Sequence, residues 1–114
     1  MLFSETLKKN HEFRRLYNKG KHAVGPLFAV YCRKNGRDVN RLGITVSNKI
    51  GKAVVRNKIR RRVREIYRLS ENDFLCGWDI VVVARSRAAA SDYHKMEHEL
   101  MGLFGKLGIL AREG

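Results

Sequence analysis

Apolar side chains recur at helical spacing in three stretches of the chain and with strand-like density in three others. Phe13, Leu16 and Tyr17 stand at i, i+3 and i+4, which predicts a short helix over Asn10–Lys19 with Asn10 as its cap and Gly20 as its stop. Residues 27–33 (LFAVYCR) and 41–47 (RLGITVS) are rich in strand formers and flank the turn-prone NGRDVN. They read as an antiparallel pair, preceded by a further short strand at Lys21–Val24. Trp78–Ala84 (WDIVVVA) is apolar almost without interruption and reads as the most buried strand.

Two longer helices complete the pattern. After the loop SNKIGK, no Pro or Gly interrupts residues 52–74, so a helix starts near the flexible Gly51 and ends near Leu69 or Ser70. Ser91 caps another that runs to about Leu107, with Tyr93, Met96, Leu100, Leu103, Phe104 and Leu107 as its core stripe. Neither repeats nor linkers break the sequence. The prediction is a single compact α+β domain over residues 1–114, two layers deep, in the order α-β-β-β-α-β-α. At 114 residues, such a domain can bury roughly 65% of the surface that its unfolded chain exposes.

The helix following Gly51 changes the picture from fold to chemistry. Advancing 100° per residue places Val55, Ile59, Val63, Ile66 and Tyr67 within one sector of about 120°. Asn57, Arg60, Arg61, Arg64 and Arg68 fall opposite, with Arg56, Lys58 and Arg62 on the flanks. From Val55 to Arg68 there are six Arg and one Lys against the single Glu65. Like charges at i and i+4 repel by a few tenths of a kcal/mol per pair when exposed, whereas phosphate binding turns that repulsion into attraction and releases counterions. Arginine also offers a planar fork that grips phosphate through two hydrogen bonds and stacks on bases. Asn57 adds a donor and an acceptor, suited to a sugar, a base edge or a local bond on the helix surface.

Composition agrees. The 24 basic and 11 acidic residues give a net charge of +13, and residues 1–68 alone carry +15 while residues 69–114 carry −2. A polyanion is the partner that such a balance implies, and nucleic acid fits better than a membrane because no long apolar helix or lipidation signal accompanies the charge. Phe13, Tyr17, Phe28 and Tyr31 lie near basic residues and could either pack in the core or stack on unpaired bases. The charge pattern by itself does not separate RNA from DNA.

Residues 42–64, LGITVSNKIGKAVVRNKIRRRVR, together with HEFRRLYNKG and WDIVVVAR, resemble the protein subunit of bacterial ribonuclease P over nearly the whole chain. The resemblance implies a ribosomal-protein S5 second-domain type of fold with an unusual left-handed crossover through the arginine-rich helix. It implies an endoribonuclease complex in which a catalytic RNA, with Mg²⁺, removes the 5′ leader from precursor tRNA, and one protein assists each catalytic RNA. Carried onto this chain, the family's signature implies that Arg56, Asn57, Lys58, Arg60, Arg61, Arg64 and Arg68 bind the catalytic RNA, with Ser47, Lys49 and Gly51 in the preceding RNA-facing loop. Asn48 stands where a lysine is common in the family. The leader-binding cleft maps to Phe13, Tyr17 and Tyr31, with Tyr17 at a position where many relatives have Phe.

Nothing in the residues specifies a protein active site. His94 and His98 flank Glu97 as H-x-x-x-H, which differs from the zinc-protease H-E-x-x-H. Asp38, Asp73 and Asp79 form no paired-carboxylate pattern, and the glycines form neither a P-loop nor a dinucleotide signature. Cys32 and Cys76 have no metal or redox spacing, which suits a reducing compartment. The N-terminus lacks the order of a secretory signal and no apolar run is long enough to span a bilayer, so the expected location is the cytoplasm. Competing expectations are a structural RNA-binding protein of the ribosomal type, without a role in turnover, and a DNA-binding helix.

Overall fold

The computed structural model describes residues 4–7 and 9–111. Its elements run β1 (Ser4–Thr6), α1 (Asn10–Lys19), β2 (Lys21–Val24), β3 (Phe28–Lys34), β4 (Asn40–Thr45), α2 (Ala53–Ser70), β5 (Trp78–Ala84) and α3 (Tyr93–Leu107). Short 3₁₀ turns at Asn48–Ile50, Glu71–Asp73 and Ser86–Ala90 lead into or out of α2 and β5. The strands form one mixed sheet in the order β1-β4-β5-β3-β2.

The strand at Trp78–Ala84 takes the centre because it is apolar on both faces. Ile80, Val82 and Ala84 join the large core beneath α2 and α3, while Val81 faces α1 with Leu16. This insertion corrects the expected hairpin: β3 and β4 are antiparallel in direction, but β5 lies between them, antiparallel to β3 and parallel to β4. Chain order favoured a β3–β4 pairing; burial of both faces of β5 decides otherwise.

The expected order also lacked β1. Its three residues, Ser-Glu-Thr, carry no apolar alternation, and the strand exists through parallel pairing with Asn40, Arg41 and Leu42 of β4. Ser4 Oγ meets the hydroxyl of buried Tyr67 at 2.6 Å, tying this edge to α2. The expectation of two layers describes the main core; α1 adds a partial third layer on the opposite face, over Val81, Tyr31 and Val83.

The helix boundaries follow the expected ones, with two caps reassigned. Lys9 rather than Asn10 precedes α1, and it makes no side-chain cap bond. At α3 the cap is Asp92 rather than Ser91, its carboxylate accepting from the Lys95 amide at 2.8 Å. Gly108 closes that helix in the left-handed conformation, φ 73°, where a side chain would be strained. The α3 stripe is core as expected, with Met96, Leu100, Leu103, Phe104 and Leu107 buried.

Candidate nucleic-acid interface

On α2 the apolar stripe anchors the helix and leaves the charge outside. Ile59, Val63, Ile66 and Tyr67 are buried, which stabilises the packed helix by about 6 kcal/mol or more. The three like-charged i,i+4 steps through Arg56, Arg60, Arg64 and Arg68 cost only about 1 kcal/mol together. Burial therefore holds the helix in place whether or not an anion is bound, and the charged face is available to a partner.

The structure divides the predicted basic residues by what they already hold. Arg56 donates to the Gly51 carbonyl at 3.1 Å and fastens the approach loop to the helix. Arg60 is half-buried, donating to Asn57 Oδ1 at 3.2 Å and to the Val46 carbonyl at 3.4 Å, so Asn57 makes the local bond that its position allowed. Arg68 is exposed and engaged twice by Glu65, at 3.0 and 2.8 Å, and this pair holds the Glu65 carboxyl below its ordinary range. Lys58, Arg61 and Arg64 are exposed, with no hydrogen-bond or ion-pair partner among the described residues. They form the outward part of the face. Ser47 accepts from the Lys49 amide at 3.2 Å, which shapes the 3₁₀ turn and leaves Asn48 and Lys49 in solvent.

The aromatic candidates converge on the opposite side of the sheet. Phe13 and Tyr17 sit one turn apart on α1, and the Tyr17 ring meets Tyr31 of β3 edge to face with centroids 5.0 Å apart. The Tyr17 hydroxyl lies 3.4 Å from Thr45 Oγ1, so the extra oxygen faces β4. Asn10, Phe13, Arg14, Tyr17 and Thr45 line a groove of about 640 Å³. Phe13 and Tyr31 are half-buried and Tyr17 is 40% exposed, whereas Phe28 is fully buried and belongs to the core. Three of the four aromatic candidates thus share one surface.

Gly43 makes that surface possible. A Cβ there would stand 2.7 Å from two carbons of the Phe13 ring, so glycine lets the ring lie directly on β4. On the far side of Phe13 a smaller cavity of about 170 Å³ is lined by Phe13, Thr6, Leu7, Ile44, Arg60 and Arg64. The aromatic groove and the basic helix consequently meet at Phe13.

Sequence reasoning missed several participants. Arg41 on β4 bonds both oxygens of Asp79, at 2.8 and 2.6 Å, and pairs with Glu12 of α1, which fixes the helix over the sheet. Thr45 and Arg14 follow from strand and helix phase only once the sheet order is known. Arg85, which donates to the Gly25 carbonyl at 2.8 Å, and Arg87 border a separate cleft of about 660 Å³. The Ser86–Ala90 turn packs near α2 and the Asn48–Ile50 turn, so positive charge continues around this end of the sheet. His94 and His98 are exposed on α3, and no group of three or more His, Cys, Asp or Glu is placed to hold a metal ion among the described residues. No helix of the described residues is long and apolar enough to cross a membrane.

A basic helix face joined to an aromatic groove on one α+β domain defines a nucleic-acid-binding protein. A family model described as Ribonuclease P matches residues 1–108. The ribonuclease P protein component of Clostridium botulinum strain 657 is 43% identical over 104 residues, covering 90% of this chain and 94% of the relative. That of Natranaerobius thermophilus is 36% identical over 107 residues, covering 94% and 93%. Among solved structures, the RNase P protein of Staphylococcus aureus superposes with a TM-score of 0.87 at 36% identity, over 93% of this chain and 97% of that one. The Thermotoga maritima RNase P protein gives 0.80 at 36%, over 96% and 99%. This chain belongs to the ribonuclease P family.

Proposed function

We propose that this chain is the noncatalytic protein subunit of a ribonuclease P ribonucleoprotein that removes the 5′ leader from precursor tRNA. The outward face of α2, with Lys58, Arg61 and Arg64, and the loop at Ser47 and Lys49 dock on the catalytic RNA. The groove at Phe13, Tyr17 and Tyr31 takes the single-stranded leader. The observation that carries this reading is the meeting of the two surfaces at Phe13, beside Arg60 and Arg64. The leader of a precursor held on a catalytic RNA along α2 would pass from the basic face into the groove.

Cleavage chemistry is assigned to the RNA. In this reading Mg²⁺ is held by RNA and substrate phosphates, whose oxygens and bound waters complete its octahedral shell. What this chain supplies is cationic charge that lowers the repulsion between two RNA molecules, together with rings that hold unpaired bases. The unpaired cysteines suit a reducing, cytoplasmic setting.

Reconstitution with a candidate catalytic RNA, assayed on precursor tRNA across Mg²⁺ concentrations and leader lengths, tests the assignment. The protein should lower the Mg²⁺ and salt requirement of the RNA and favour substrates with a leader. Cleavage by the RNA-free protein would overturn the noncatalytic role. Tight RNA binding without any stimulation would point instead to a structural protein of the ribosomal type, and preference for duplex DNA to a DNA-binding helix.

A further inference from the structure

On the α1 side of the sheet, the cross-strand register places His22, Tyr31, Val81 and Gly43 in one row across β2, β3, β5 and β4. Phe13 covers the Gly43 end of this row and Leu16 packs with Val81. Tyr31 then meets Tyr17 on one side and His22 on the other. The His22 and Tyr31 rings are stacked, with centroids 5.5 Å apart and planes at 27°. The aromatic surface is therefore one member longer than the groove at Phe13 and Tyr17.

His22 differs from the rest of the row in what it leaves open. Among the described residues its strand, β2, is a sheet edge paired with β3 alone, and the side chain is exposed. The imidazole has no hydrogen-bond or ion-pair partner among the described residues. One ring face is held by Tyr31, and no strand of the described residues lies beyond β2 on the other side. Arg33, two residues along β3 and so on the Tyr31 face, likewise has no such partner among the described residues. An ordered planar ring with a nearby free cation is the arrangement that takes an unpaired base and its phosphate.

We infer that His22 forms an additional base-stacking position of the leader site, at the end remote from α2. The inference rests on the groove being the leader site. It also gives the position a polarity. A leader entering beside Phe13 passes Tyr17 and Tyr31 before it reaches His22, so only longer leaders make this contact.

The test uses the holoenzyme reconstituted with its catalytic RNA and precursor tRNAs whose leaders grow one nucleotide at a time. Affinity should rise in a late step that His22→Ala removes, a loss of about fivefold confined to the longer leaders. His22→Phe, which keeps a stacking face without the nitrogens, should restore it. 2-Aminopurine at the matching leader position should be quenched by the native and Phe proteins and brighten with Ala. Retention of the late step by the Ala variant, or failure of Phe to restore it, would overturn the inference. So would equal losses at all leader lengths, since His22 would then only prop Tyr31. A Tyr17→Ala protein with the same effect on leaderless and leader-bearing substrates would instead remove the groove reading itself.

Discussion

Arg41 and Asp79 face each other across the parallel pairing of β4 and β5, the guanidinium bonding both carboxylate oxygens at 2.8 and 2.6 Å. The same arginine reaches Glu12 on α1. Both carboxylates hold the guanidinium charged, raising its pKa further, and all three side chains are largely screened from solvent. This is the polar fastening between α1 and the sheet, next to an apolar contact built on Leu16 and Val81.

Arg41→Leu should therefore act on both stability and leader recognition. It leaves two partly buried carboxylates facing each other without their cation, at a cost of about 2–3 kcal/mol in chemical denaturation. Because α1 carries Phe13 and Tyr17, the variant should also lose discrimination between leader-bearing and leaderless substrate under conditions where it remains folded. A stability loss with discrimination intact would show that the apolar contact alone positions the helix.

Gly43→Ala tests the groove from beneath. The added methyl would meet the Phe13 ring at 2.7 Å, and the ring must lift or turn to make room. Such overpacking costs about 1–3 kcal/mol. Pairing it with Phe13→Leu, a smaller side chain, should recover stability while leader binding stays weak, because stacking is lost. Recovery of both would mean that Phe13 fills space and does not touch the leader.

The two cysteines should separate by reactivity. Cys76 is exposed, whereas burial pushes the Cys32 thiol up to about 11, against a smaller opposing effect from the Lys21 charge. A thiol reagent at pH 8 should titrate one group in the native protein and two after denaturation. Between the ordinary thiol value of 9.0 and about 11, the unfolded chain releases the Cys32 proton and the folded chain retains it. Stability must then fall as pH rises through that window, by about 1–2 kcal/mol after allowance for solvent screening. Cys32→Ala should flatten this part of the profile when unfolding free energies are compared at pH 8 and pH 10.

The sequence exposed long-period features and concealed those that depend on pairing across the sheet. The stripes of α2 and α3 were readable because a dozen or more residues repeat one phase, and β5 was readable because it is apolar on both faces. The order β1-β4-β5-β3-β2 was not, since the residues between β3 and β4 suggest a hairpin and only competition for the doubly covered central place shows otherwise. Phe13, Tyr17, Phe28 and Tyr31 stood out as aromatics among basic residues, and family resemblance singled out all but Phe28, as periodicity cannot tell an exposed ring from a buried one. His22, Thr45 and Arg41 join them through register, which depends on strands far apart in the chain.

The basic face makes the last prediction, and the structure sharpens which arginines should matter. Arg61 and Arg64 point outward without partners among the described residues, while Arg68 is already engaged by Glu65 and Arg56 by the Gly51 carbonyl. Each phosphate contact removed should lower the magnitude of the slope of log affinity against log salt by about 1. Arg61→Ala and Arg64→Ala should each do so for the catalytic RNA, and reversal of both charges should weaken binding further at low salt. Arg68→Ala should change the slope less, because binding through Arg68 must compete with its Glu65 pair. Arg60→Glu should combine weaker binding with lower stability, since this side chain also holds the Val46 carbonyl. Salt titrations of catalytic-RNA binding, with circular dichroism to confirm folding, would measure the series. Equal slopes for all five variants and the wild type would place the RNA on another surface.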